Sequence, residues 1–248
     1  MEASLNSLWS NCSNQTKGTV LCVFGTLILS PDTLLLRLVS NVDGYVVQFY
    51  RYAISGTIFL MLVFALNGHQ NFIQTFRNLK LVGLIAGLVF GISNFLFTEA
   101  VQSTAVANVL VINATNSAFS AILSYFLLGE KIDIKTFMTI IVCFGSITLI
   151  FADNLTSSNS TSDIKGIICA LFASITFGSY FAILRYASKV SGKEPDMLGC
   201  NVIAMYFVAI LSLCLGANIS NVDIVSALYL CINGIACYHH YHYHYHYH

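Results

Sequence analysis

The sequence predicts an all-α integral membrane protein with about eight transmembrane helices. Composition, a series of long apolar runs, and the placement of cations between those runs carry this reading. Of 248 residues, 56% are hydrophobic and 9% are charged, and the mean hydropathy is +0.75. A soluble domain carries about 25% charged residues, so this chain has too little polar surface to face water. Soluble, disordered and collagen-like classes are excluded. Eleven basic and eleven acidic residues cancel, which leaves no electrostatic footprint for nucleic acid.

Residues 1–17 are polar, lack a basic cluster and read as a cytoplasmic amino terminus. Apolar runs of the length that crosses a bilayer, about 20 residues, then occupy 18–39, 46–66, 81–100, 105–128, 136–152, 164–187, 198–217 and 222–237. The first is too long for a signal-peptide core and is expected to stay as an anchor. Between the second and third runs, Phe72, Ile73, Phe76 and Leu79 share a helical face beside Arg77 and Lys80. That segment suits either a helix lying at the inner surface or a short ordered loop. Residues 153–163 form a polar loop, and Tyr-His alternation fills 238–248.

Lys and Arg accumulate on the cytoplasmic side of membrane proteins. With the amino terminus inside, the inner set is Lys17, Arg77, Lys80, Lys131, Lys135, Arg185, Lys189 and Lys193, against Arg37, Arg51 and Lys165 outside. The same orientation places the glycosylation patterns at Asn154 and Asn159 outside, and those at Asn11 and Asn14 inside and unused. The eight cysteines form no CxxC pair, and all but Cys12 lie in apolar runs, so they read as small apolar side chains.

A shift of 148 residues aligns Lys17-Gly18 with Lys165-Gly166, Phe24 with Phe172, Leu36-Arg37 with Leu184-Arg185, and Ser40 with Ser188. Five spans separate the two starts, so the second copy enters the membrane upside down. Inverted repeats of this kind build secondary transporters with the binding site near the midplane.

The order of motifs resembles the drug/metabolite transporter superfamily, specifically its EamA-type members. The resemblance rests on Leu29-Ser-Pro-Asp32, Leu36-Arg37, Arg51, Thr98-Glu-Ala100, Ala107-Asn-Val109, Leu128-Gly-Glu-Lys131 and the restart at Lys165-Gly166. It covers residues 17 to 237 and implies two five-helix repeats that move small metabolites by alternating access. Residues 18–152 then form the first repeat, and 164–237 a partial second repeat of three helices. Two departures stand out. Ser117 occupies a place where the family often has proline, and the chain falls two helices short of a complete second repeat, which makes an incomplete inverted repeat of five-helix units the expected fold.

Polar residues inside the runs are the candidate site. Asn113, Asn116, Ser117, Ser120 and Ser124 recur at three- and four-residue spacing and share a helical face. Such a stripe suits a cavity lining or hydrogen-bonded helix packing. Gly83, Gly87 and Gly91 form a doubled small-xxx-small pattern, a packing signal. Asp32 follows Pro31 roughly 10 Å from the outer end of the first run, and Arg51 lies about 7 to 8 Å inside the second. With Glu99 near the outer end of the third run, Asp32, Arg51 and Glu99 could meet in the outer half. Arg51 would anchor an anionic substrate group or form a gate with a carboxylate, against the alternatives of a static ion pair or snorkelling. Arg37 and Arg185 read as headgroup anchors, and Glu130 with Lys131 as an interface marker or intracellular ion pair.

Secondary transport of a small organic metabolite is the expected function. No GxxxxGK[ST] loop is present, and His69, placed in a loop, is the only histidine outside the tail, so neither ATP use nor catalysis is expected. No cofactor and no metal site are expected, and the Tyr-His tail reads as a translated six-base repeat at an interrupted gene end. The expected partners are the lipid bilayer and a small-molecule substrate, with a homodimer as the candidate assembly and no nucleic acid. The plasma membrane is favoured over an internal organelle. A non-transporting receptor or scaffold, or an inactive transporter fragment, is the rival reading.

Overall fold

The computed structural model describes residues 43–156, 161–191 and 196–217, and all regular structure among them is helical. Seven helices occur in this part of the chain. They are α1 (Gly44–Asn78), α2 (Lys80–Ser103), α3 (Val106–Ala114), α4 (Asn116–Leu128), α5 (Ile134–Thr156), α6 (Thr161–Ser191) and α7 (Met197–Cys214). Six stretches are long and apolar enough to cross a membrane: one each in α1, α2, α5, α6 and α7, and one formed jointly by α3 and α4. They coincide with the apolar runs that begin at residues 46, 81, 105, 136, 164 and 198. The runs at 18–39 and 222–237, with Asp32 and the tail, lie outside the described residues, as does Asn159.

Local chemistry sets the helix ends. Asp43 caps α1 by accepting from the Tyr45 N–H at 3.3 Å, and Asp196 caps α7 by accepting from the Leu198 N–H at 3.0 Å. Gly129 ends α4 with φ 68°, and its N–H reaches the Tyr125 carbonyl at 3.1 Å. That left-handed turn is strained for a residue with a Cβ, so the glycine of Leu128-Gly-Glu stops the helix.

Two expectations change. Residues 71–78 are a helical continuation of α1, not a loop, and His69 lies in the same helix. Phe72 and Phe76 stack edge-on at 5.4 Å and pack on the bundle, and buried Leu79 alone separates α1 from α2. At the other side of the chain, α5 continues to Thr156 and α6 starts at Thr161, so Asn154 lies in the last turn of a helix.

Helix α6 runs the length of the bundle, with Lys165 at one end and Lys189 at the other. At the Lys165 end, Val47, Ala100, Val101, Val109, Ile112 and Ile167 form one buried cluster from α1, α2, α3 and α6. Further along, Phe59, Leu62 and Val63 of α1 pack on Leu198, Val202 and Met205 of α7. Toward the Lys189 end, Leu79, Ala86, Tyr180, Leu184 and Cys200 join α2, α6 and α7. Helix α2 is held closely on α7: a Cβ at Gly87 would stand 2.9 Å from the Cys200 carbonyl oxygen, and one at Gly91 3.0 Å from that of Ala204. Gly83 instead abuts Leu79 within its own connection, and its carbonyl receives the Cys200 thiol at 3.5 Å. Helix α5 lies at the periphery, only 6% of its spanning window buried against the rest of the chain.

Candidate substrate pathway

The buried face of α1 is polar at one end. Gln48, Arg51 and Ser55 follow an i, i+3, i+7 spacing, with Tyr52 beside them, and all four are buried. The Arg51 guanidinium lies 5.2 Å from the centroid of the Tyr52 ring, within cation–π range. The Tyr52 hydroxyl crosses to α2, 2.8 Å from the Thr98 hydroxyl, and donates to the Asn94 carbonyl at 3.0 Å.

A second set of polar contacts crosses the middle of the bundle. Ser93 of α2 donates to the Ala173 carbonyl of α6 at 2.9 Å, and the next residue, Ser174, meets the Thr115 hydroxyl at 3.1 Å. Ser93, Ser174 and Thr115 each stand some ten residues from the Lys165 end of their spans, or about 15 Å, halfway through a hydrocarbon layer about 30 Å thick. Thr115 is also where the spanning segment at Val106–Leu128 breaks into α3 and α4. Its hydroxyl and its own N–H both turn back to the Ile112 carbonyl, at 2.6 and 3.0 Å. The break is clamped from outside by α6, because a Cβ at Gly178 would lie 2.7 Å from the Asn116 carbonyl oxygen and 2.9 Å from the Ser120 nitrogen. Irregular backbone at membrane depth persists only where protein or water satisfies it.

Several buried polar side chains have no such contacts. Both amide atoms of Gln48 and of Asn201, and the hydroxyls of Ser120 and Ser124, find no hydrogen-bond partner among the described residues. Counted from the Lys165 end at 1.5 Å per residue, Gln48 lies about 6 Å deep, Asn201 and Ser120 about 20 Å, and Ser124 about 27 Å. Leaving a buried polar group unsatisfied costs about 1–3 kcal/mol, so each of these positions calls for a partner beyond the described residues.

The residues singled out from sequence are distributed unevenly over this frame. Asp32 lies outside the described residues. Glu99 forms an ion pair with Lys165 across α2 and α6 at 2.6 Å, so its carboxylate bridges Lys165 and not Arg51. Asn113 and Asn116 flank the break and are half-buried, Ser120 and Ser124 are buried, and Ser117 is exposed with its hydroxyl 3.5 Å from the Ala114 carbonyl. The break divides the stripe and turns Ser117 away from it. Gln48, Tyr52, Lys165, Ser174 and Asn201 were not singled out as site residues. The polar spacing of Gln48, Arg51 and Ser55 was available in the second run, but the Glu99–Lys165 pair spans 66 residues and depends on which helices touch.

At the Lys189 end, a cleft of about 430 Å³ opens between α4, α6, α7 and the turn after α4. Lys189 donates to the Leu128 carbonyl at 2.9 Å, satisfying one of the open carbonyls at the end of α4.

Comparison with known proteins agrees with this architecture. Residues 16–152 match the model of the EamA-like transporter family. A putative purine permease 12 of Arabidopsis thaliana is 23% identical over 116 residues, which cover 45% of this chain and 32% of the permease. The chain thus spans about a third of the length of that curated relative. No solved structure matches the chain. With the family match covering over half of its length, and its apolar helices repeatedly long enough to cross a bilayer, this chain is a multi-pass integral membrane protein that belongs to the EamA-like transporter family.

Proposed function

We propose that the chain is a secondary transporter that moves a small organic metabolite by alternating access between inverted repeats. The observation that carries this reading is the descent of polar side chains without partners among the described residues, from Gln48 through Asn201 and Ser120 to Ser124, inside membrane-spanning helices. A static bundle gains nothing from buried amides without partners, whereas a solute or its water supplies those partners in passage. The broken α3–α4 segment beside this path supports the same reading, since discontinuous helices at the midplane are a common transporter device. The packing of α1 on α7 supports an inverted repeat, because the 148-residue shift carries residues 49–66 onto 197–214, the span of α7.

The substrate class follows from the groups on offer. Gln48 and Asn201 each present a donor and an acceptor, which suits a neutral solute with both. Nitrogen heterocycles are the first compounds to test, given the similarity to a putative purine permease. Arg51 and Tyr52 stand nearer the Lys165 end, which faces outside when the cation distribution sets the orientation. The plasma membrane is the proposed location. In proteoliposomes of the full chain, labelled purines and pyrimidines should show uptake and counterflow, with Gln48→Leu and Asn201→Leu each reducing the rate roughly tenfold or more. Saturable binding of a solute without flux across the bilayer would favour the receptor reading, and an absence of both would remove the proposal.

A further inference from the structure

The cleft at the Lys189 end carries charges that the transport reading leaves unused. Arg185, Lys189 and Glu130 all line it, and no two of them form an ion pair within 4 Å. Arg185 and Lys189 are one turn apart on α6, a spacing at which two side chains can grip one group. Lys189 commits one N–H to the Leu128 carbonyl and keeps two, and the Arg185 guanidinium offers a planar fork suited to phosphate oxygens. Glu130 supplies the opposite sign on the rim of the same cleft.

Position narrows the ligand further. Arg185 lies five residues short of the Val190 end of its span, about 8 Å, and Lys189 is next to that end. The cleft therefore straddles the boundary between hydrocarbon and headgroups. Phe181, Leu184 and Met197 give it an apolar wall, with Phe181 and Met197 exposed. A soluble anion would leave that wall uncovered, whereas a lipid covers it with its glycerol and upper acyl chain while its headgroup meets the charges.

We propose that this cleft holds the headgroup of an aminophospholipid from the adjoining leaflet, with the phosphate between Arg185 and Lys189 and the ammonium facing Glu130. A headgroup carrying both signs meets the two cations with its phosphate and the carboxylate with its ammonium. An anionic headgroup without an amine would engage only the two cations and stand against the Glu130 carboxylate. The site requires a membrane-embedded bundle and does not depend on transport.

Native mass spectrometry of the full chain, released from detergent with defined lipids, tests this directly. Phosphatidylethanolamine should be retained roughly tenfold more than phosphatidylglycerol, a difference of about 1.4 kcal/mol. Glu130→Gln should erase that preference while both lipids still bind. Arg185→Gln should weaken both, and Arg185→Lys, which keeps the charge, should restore much of the binding and show that the fold is intact. Equal retention of both lipids by the unaltered chain, or an unchanged pattern in Glu130→Gln and Arg185→Gln, would overturn the proposal. So would saturable binding of soluble phosphoethanolamine with no lipid required, which would make the ligand a free phosphate ester.

Discussion

The two ends of this bundle are built by opposite means. At the Lys165 end, Glu99 meets Lys165 at 2.6 Å above the cluster of Val47, Ala100, Val101, Val109, Ile112 and Ile167. At the Lys189 end, Glu130, Arg185 and Lys189 surround an open cleft and remain apart. Between them, α6 grips the helix break at Thr115 through Ser174 and Gly178. The difference teaches that the Glu99 and Lys165 charges satisfy each other at one end, while those at the other are left with chemistry to spend on something outside the chain. The break at Thr115, midway between the two ends, is the waist of the bundle as described.

The waist is where the largest effect is expected. Replacing Gly178 by Val would push side-chain atoms into the backbone at Asn116 and Ser120, which cannot yield as a flexible side chain would. Overpacking of this kind costs about 1–3 kcal/mol and occasionally more, and the backbone contact puts Gly178→Val at the upper end. Gly145→Val on α5 is the control, since nothing lies within 4 Å of a Cβ there. Thermal unfolding in a mild detergent should separate the two variants clearly. Equal melting would show that α6 does not clamp the break.

The Lys165 end should respond next. Glu99→Lys sets two cations against each other across α2 and α6, and Lys165→Glu in the same chain restores the pair in reverse. Peptide-level mapping of maleimide labelling at Cys169, one turn along α6 from Lys165, measures the opening. Labelling should rise roughly tenfold in Glu99→Lys, equivalent to about 1.4 kcal/mol, and fall back in the double variant. The simple loss, Glu99→Gln, should change it less, because exposed pairs are worth only about 0.2–1 kcal/mol and Lys165 is 60% exposed. A double variant as reactive as Glu99→Lys would show that the pair does not close this end.

These contrasts also mark how far the sequence could be read. Helices α1, α2, α5, α6 and α7 follow from length and hydropathy, because a lipid-facing helix must be apolar over its whole span. The glycines at 87 and 91 stand out for a related reason, since two backbones approach only where no Cβ intervenes. What was not legible depends on azimuth. Residue counting placed Arg51 and Glu99 at similar depth, but depth is one coordinate of three, and Glu99 points to α6 and Lys165. The break at Thr115 was hidden as well, because its hydroxyl is satisfied by Ile112 and Ser174, and only the fold brings Ser174 within reach.

A smaller effect is expected from the hydroxyl pair at the break. Thr115→Val keeps the shape and removes the donor, and hydrogen bonds between membrane helices average about 0.6 kcal/mol, with a maximum near 1.7. Ser174→Ala should cost a similar amount. A double-mutant cycle on unfolding free energy should return a coupling of about 0.6 kcal/mol or more, because the hydroxyls are 3.1 Å apart and buried. Strict additivity would mean that each hydroxyl acts only within its own helix.

The smallest effect should come from Ser117, which stands where the resemblance to EamA-type members often implies a proline. Ser117 is the second residue of α4, within the first turn, where backbone N–H groups have no carbonyl four residues back in the same helix. The Thr115 carbonyl already receives the N–H groups of Ala118 and Phe119, at 3.0 and 3.2 Å, so the turn is formed without help from residue 117. Proline is tolerated in such a first turn, and the exposed Ser117 side chain leaves space for its ring. Ser117→Pro should therefore leave unfolding within about 1 kcal/mol of the unaltered chain, whereas Ser120→Pro, one turn further into α4, should cost about 3 kcal/mol or more. The break then belongs to Thr115 and its clamp on α6, and a proline here would fix a geometry that the chain already adopts. Large destabilisation by Ser117→Pro would show instead that the break closes into a continuous helix in the membrane, and the waist would have to be sought elsewhere.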